Sequence, residues 1–223
     1  MPELQRVTLT GDVRSSSDTK NMSDHSVLTE TTWRTELPTL IGRAVTLREP
    51  ASPDLGPLVD LLCLSDSTRF GLEEPTSEVS VQELIDRVAR ERANGVSFTY
   101  AITLTGARTV VGLLQVRSLD PAFEGAEWEC TIAPSARGSG VFIDAARLVG
   151  SFAFGTLRSH RLEARVLLQN GRANGALRKL GAVQEGVLRR SIRRGDEYCD
   201  QVLWSLLIED WGEHWVSIAP RVH

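Results

Sequence analysis

The sequence predicts an α/β domain in which a mixed sheet is flanked by helices. Seven runs of strand-like residues are interleaved with four helical ones in the order β-α-α-β-β-β-α-β-α-β-β. Near the middle, an alternating run at Ala126–Ala133 ends at Pro134. The small-residue loop Ser135-Ala136-Arg137-Gly138-Ser139-Gly140 follows, and then a largely apolar stretch from Val141 to Phe154. No internal repeat interrupts this order, so a single domain is expected.

Each element has its own signal. Residues 1–36 are dense in Ser, Asp, Thr and Asn between Ser15 and Ser26, which predicts a flexible arm, with the domain spanning 37–216 and a short tail at 217–223. Arg43–Glu49 alternates and ends at Pro50, giving the first strand. Ser52-Pro53-Asp54 opens a helix that places Leu55, Leu58, Val59, Leu61 and Leu62 on one side. Phe70–Ser80 reads as an irregular loop. Val81–Val88 begins an amphipathic helix that stops near Asn94-Gly95. Ser97–Leu104 and Thr109–Ser118 form a hairpin about Thr105-Gly106-Ala107-Arg108, and Gly112 within it marks a bulge or a close backbone approach. After the central strand, loop and helix, His160–Leu168 is a strand and Asn170–Gly181 a polar link and helix. Gly186–Arg194 and Tyr198–Leu207 form the last hairpin.

Composition excludes several classes. The chain has 223 residues, 41% of them hydrophobic and 24% charged, enough for one sizeable core. A net charge of −4 speaks against a nucleic-acid partner. No apolar run is long enough to predict a membrane span. Cys63, Cys130 and Cys199 are scattered and odd in number, and the four histidines show no ligand spacing. Reduced thiols in a cytoplasmic protein without a metal are therefore expected.

The strand–glycine loop–helix segment has the form of an anion site. Glycines let backbone N–H groups approach a phosphate, the helix start adds unpaired donors, and Arg137 adds a full charge at the rim. It is neither a Walker loop nor a dinucleotide fingerprint, because the required spacings are missing. By itself such a loop also serves as a plain connector.

Two local patterns extend the reading. Arg137-Gly138-Ser139-Gly140-Val141-Phe142 matches R/Q-x-x-G-x-G/A up to its final position, and Asn170, Ala173, Lys179 and Gly181 match N-x-x-[AS]-x-x-x-x-x-K-x-G. With the element order, these resemble the GNAT superfamily of N-acetyltransferases. The phrases Leu162-Glu163-Ala164-Arg165, Leu177-Arg178-Lys179-Leu180-Gly181-Ala182 and Leu40–Arg48 are similar to the branch that acetylates ribosomal-protein N-termini. Two positions depart from the family pattern: Phe142 stands where Gly or Ala is usual, and Leu177 where many members carry a tyrosine acid.

The resemblance implies a GNAT-like acyl-CoA N-acyltransferase fold and acetyl-CoA as co-substrate. Its pantetheine arm would pair with the backbone of Thr131 and Ile132, and its pyrophosphate would lie on the N–H groups of Arg137, Gly138, Ser139, Gly140 and Val141. Asn170 is expected either to reach the cofactor or to cap the following helix, with Asn174 as a second candidate. Glu127 and Glu129 share one face of the central strand. They are the candidate catalytic pair, Glu129 as base and Glu127 in a positioning role, although they could instead bind a cationic amine or line a solvated face. Side by side, they would raise at least one pKa. Neither Tyr100 nor Tyr198 makes an evident acid, Cys130 reads as a buried structural thiol, and the Arg189–Arg194 cluster as a solvated surface. The expected activity is direct acetyl transfer to a primary amine, a protein N-terminus or a small molecule, by a monomer or homodimer. The competing expectation is a non-catalytic acyl-CoA-binding module on the same fold.

Overall fold

The computed structural model describes residues 32–63 and 76–215 of the chain, with the side chains of 212–215 set aside. The expected loop over Phe70–Ser80 lies outside these residues as far as residue 75, as do residues 1–31 and 217–223 of the expected arm and tail.

Eight strands form one sheet in the order β1-β2-β3-β4-β5-β6-β8-β7. They are β1 (Leu40–Ile41), β2 (Val45–Arg48), β3 (Ser97–Leu104), β4 (Val110–Ser118), β5 (Gly125–Ile132), β6 (Arg161–Leu167), β7 (Val183–Arg194) and β8 (Glu197–Leu207). Every adjacent pair is antiparallel except β5 and β6. Among the described residues, five α-helices accompany them: α1 (Leu55–Leu62), α2 (Glu78–Ala93), α3 (Val141–Gly155), α4 (Gly171–Lys179) and α5 (Ile208–Trp215).

The alternation of side chains along the strands builds two cores. On one face, Leu113 and Ala101 pack with Leu58, Leu62, Leu84 and Val88 of α1 and α2. On the other, Phe98, Tyr100, Trp128 and Trp204 pack with the apolar sides of α3 and α4 and with Trp211 of α5. Phe98 meets Phe152 edge-on at 5.3 Å and Tyr100 edge-on at 5.9 Å. Edge-to-face contacts of this kind add ~1 kcal/mol each beyond the area they bury.

Several expectations shift. The helix expected at Val81 begins three residues earlier, because the Ser77 hydroxyl caps it by accepting from the Ser80 N–H. The first helix is preceded by a 3-10 turn at Ser52–Asp54, where Asp54 is buried and pairs with Arg48 at 2.7 Å. Trp33 is buried against Phe98 and Phe123, so the packed body includes residues ahead of the expected start at Leu37. Helix α5 carries no counterpart in the sequence reading. Its Trp211 is buried and packs on Phe154 of α3 at 5.4 Å. Gly112 marks the expected close approach: a Cβ there would lie 2.7 Å from the Thr131 carbonyl oxygen.

Candidate active site

The site begins where two strands part. The parallel strands β5 and β6 pair through Gly125/Arg161, Ala126/Leu162 and Glu127/Glu163 only. Beyond Glu127 and Glu163 they diverge, β5 staying with β4 and β6 with β8. The gap opens into a cleft of about 810 Å³, floored by the ends of both strands and walled by the starts of α3 and α4.

Backbone chemistry marks one wall. Ala133 donates to Val111 of β4, and the Thr131 carbonyl lies against Gly112. Alternation along an antiparallel ladder then turns the polar backbone of Thr131 toward β4 and that of Cys130 and Ile132 toward the gap. The Ile132 carbonyl accepts from Arg137 Nε at 2.8 Å, as a gap-facing group can. Thr131 and Ile132 both line the cleft, but the Thr131 carbonyl faces β4, whereas the backbone of Cys130 and Ile132 forms the open edge.

The loop behind this wall has the form expected of an anion cradle. Gly138 and Gly140 have φ of 81° and 87°, left-handed values that a side chain resists. Gly140 is the N-cap of α3, and no side chain caps the helix. Its first-turn donors therefore remain for a ligand, reinforced by the helix dipole. The Ser139 hydroxyl is spent on the Ala136 carbonyl at 2.7 Å, and the Val141 side chain is buried, which leaves these two residues only their backbone to offer. Arg137, Arg172 and Lys179, all exposed, bring three positive charges to the rim.

Residues 44–183 match the acetyltransferase (GNAT) domain family. The chain belongs to the GNAT acetyltransferase family. Over 73 residues it is 33% identical to a probable N-acetyltransferase, YjcK, of Bacillus subtilis, a match covering 33% of this chain and 40% of that relative. In fold it resembles the RimJ of Mycobacterium smegmatis in complex with CoA-disulfide, with a TM-score of 0.66 and 21% identity over 77% of this chain and 88% of that one. It also resembles the ribosomal-protein-S5-alanine acetyltransferase of Vibrio fischeri, with a TM-score of 0.67 and 15% identity over 78% and 98% of the two chains.

Within this GNAT domain the remaining expected residues fall into distinct places. Glu129 is half-buried and lines the cleft. Glu127, two residues earlier, does not line it; its carboxylate ion-pairs with Arg165 at 3.2 Å. Of the two carboxylates on this face, Glu127 is therefore neutralised by a guanidinium that also reaches Glu163 at 3.7 Å. Asn170 caps α4 by accepting from the Ala173 N–H at 3.1 Å and also borders the cleft. Asn174 has a different task from the one expected. It is buried, its amide donates to the Leu167, Leu168 and Asn170 carbonyls, and its oxygen accepts from Trp204 Nε1. It wedges α4 onto β6 and β8 and does not border the cleft.

Neither tyrosine reaches the cleft. The Tyr100 hydroxyl donates to the Pro38 carbonyl inside the core, where burial, with nearby Glu49, pushes the phenol well above its usual range. Tyr198 is exposed on the last hairpin beneath the Arg190 guanidinium. Leu177 lines the cleft, as does Phe142, whose ring tilts against Trp128. Arg193 pairs with Asp196, and none of the four hairpin arginines borders the cleft. No cluster of potential metal ligands occurs among the described residues.

The sequence reading missed Arg165, Arg172 and Lys179 as parts of the site. Lys179 stood in a recognised pattern without a role, and Arg172 opens a helix on the cleft side. Arg165 gave no local signal, because its partner lies 38 positions away.

Proposed function

We propose that the chain is an acetyl-CoA-dependent N-acetyltransferase that passes the acetyl group directly to a primary amine. The supporting observation is that the cleft pierces the sheet. Its cradle and basic rim lie beside α3 and α4, whereas Glu129 and Arg165 share the α1/α2 face with Leu113. A long anionic co-substrate held on one face can thus present its end to an amine arriving from the other.

Acetyl-CoA supplies an activated thioester. The protein's part is to hold and orient it. The N–H groups from Gly138 to Phe142 receive its phosphates, with Arg137, Arg172 and Lys179 balancing their charge. The gap-facing backbone of Cys130 and Ile132 offers a strand edge to its amide-bearing arm. Glu129 accepts the proton that the ammonium form of the acceptor must lose before nitrogen can attack. With no tyrosine at the cleft among the described residues, the departing thiolate takes its proton from water. We place the chain with the ribosomal-protein acetyltransferase branch, its acceptor a protein N-terminus or a small amine and its place of action the cytoplasm.

Leu177 at the tyrosine position favours a second reading, a binding module without turnover. Thermal unfolding with acetyl-CoA, beside ATP and NAD, tests the shared premise: selective stabilisation by acetyl-CoA is expected through mass action. Thiol release with peptides beginning in Ala or Ser, and with spermidine, then separates the two. Binding without thiol release from any of these would leave the module reading in place.

A further inference from the structure

The last paired residues before the splay, Glu127 of β5 and Glu163 of β6, are bridged by one guanidinium. Arg165 Nη1 lies 3.2 Å from both carboxylate oxygens of Glu127, and Nη2 lies 3.7 Å from Glu163. Two residues along β6, where backbone pairing to β5 has ceased, Arg165 turns its side chain back across the point of divergence and also lines the cleft. Glu163 is held from its other side by Arg161 at 2.9 Å, and Arg161 in turn forks onto Glu185 of β7. The bridge is thus one end of a charged row running across β5, β6 and β7.

Resting on the acetyltransferase reading, we propose that Arg165 is the positioning residue of the cleft. It pins the two strands at the last paired position, fixes where the splay opens, and holds a positive charge beside the base. An exposed ion pair contributes little to stability. A planar fork touching carboxylates on both strands contributes geometry instead, which a single ammonium cannot copy. The groups that face it are few. Arg117 of β4 is in register with Glu127, Leu203 of β8 is in register with Arg165 itself, and Arg137, Arg172 and Lys179 line the same cleft. Removing the guanidinium leaves Glu127 uncompensated on the same strand face as Glu129, while Glu163 keeps Arg161, and the added negative charge raises the pH at which the base loses its proton.

The test compares Arg165→Met and Arg165→Lys with Arg48→Met, which breaks the Arg48–Asp54 pair at the other side of the sheet. Acetyl-CoA affinity is measured by calorimetry, and turnover with the accepted peptide or spermidine is followed from pH 5 to 9. The Met variant is expected to bind acetyl-CoA roughly tenfold more weakly, the scale of one lost coupling between neighbours. Its acid limb should move up by about one pH unit. The Lys variant is expected to restore the acid limb but not the affinity. Arg48→Met is expected to lower the melting temperature and alter neither readout. A Met variant that keeps both wild-type values, or an Arg48→Met that shifts them equally, overturns the role of Arg165. A wild-type chain that neither binds nor consumes acetyl-CoA overturns the acetyltransferase reading, and this inference with it.

Discussion

Glu127 and Glu129 leave the same strand on the same side, yet one is tied to a guanidinium and the other borders the cleft. Two-residue periodicity made their shared face legible from the sequence alone. The sequence reading also gave them different roles, but the ion pair that holds Glu127 was not legible, because Arg165 is brought alongside by a parallel crossover. Glu129→Gln is expected to lower kcat by about a hundredfold or more, the usual scale for a general base, while stabilisation by acetyl-CoA persists. Glu127→Gln should lose less, since its carboxylate acts through Arg165. Equal losses in the two variants would return the base assignment to an open pair. Thr131 shows a second limit of the same kind. Alternation gives the side-chain face of a strand residue but not which neighbouring strand its carbonyl serves, and here Gly112 decides it by admitting the Thr131 oxygen.

Among the elements, the central strand, glycine loop and helix were readable because each carries a local signature: alternation, left-handed glycines and a long apolar run. Helix α5 was not, because its eight residues follow a strand without a break and the packing of Trp211 against Phe154 of α3 leaves no local mark in the sequence. Helix α3 is also tied to the start of β2. The Asp144 carboxylate, in the first turn of α3, accepts from the Ala44 N–H at 2.7 Å and the Val45 N–H at 3.2 Å. Asp144→Ala would strand two backbone donors, at a cost of about 1–3 kcal/mol. A correspondingly lower denaturant midpoint is expected, together with weaker acetyl-CoA stabilisation as the start of α3 loses its anchor. An unchanged midpoint would mean that water replaces the carboxylate at no cost.

For the molecule as a whole, the charged row across β5, β6 and β7 links stability to pH. Arg161, with the Ser205 hydroxyl, holds the Glu185 carboxyl down at about 2. Its folded value lies below its unfolded one, so its contribution is complete above the ordinary glutamate range and is lost as pH falls toward 2. Partial exposure at the sheet edge keeps that contribution small. Glu185→Gln should therefore flatten the acid side of the stability curve between roughly pH 5 and 2, lowering neutral stability by the same small amount and leaving stability near pH 2 unchanged. A curve as steep as that of the wild type would assign the acid sensitivity to other carboxylates.

Within the sheet, three residue pairs and the Arg165 bridge join the strands from β1 to β5 with those from β6 to β8. It is a narrow waist between broader junctions, since β4 and β5 pair through seven residues and so do β6 and β8. Without ligand, the splayed ends of β5 and β6 should fray above the core that both halves share, and the gap-facing amides of Cys130 and Ile132 should exchange rapidly with deuterium. A ligand lying along that edge would complete the missing rungs, so protection should spread from these two amides into β6. The cleft would then be the place where the sheet's own continuity depends on what the protein holds.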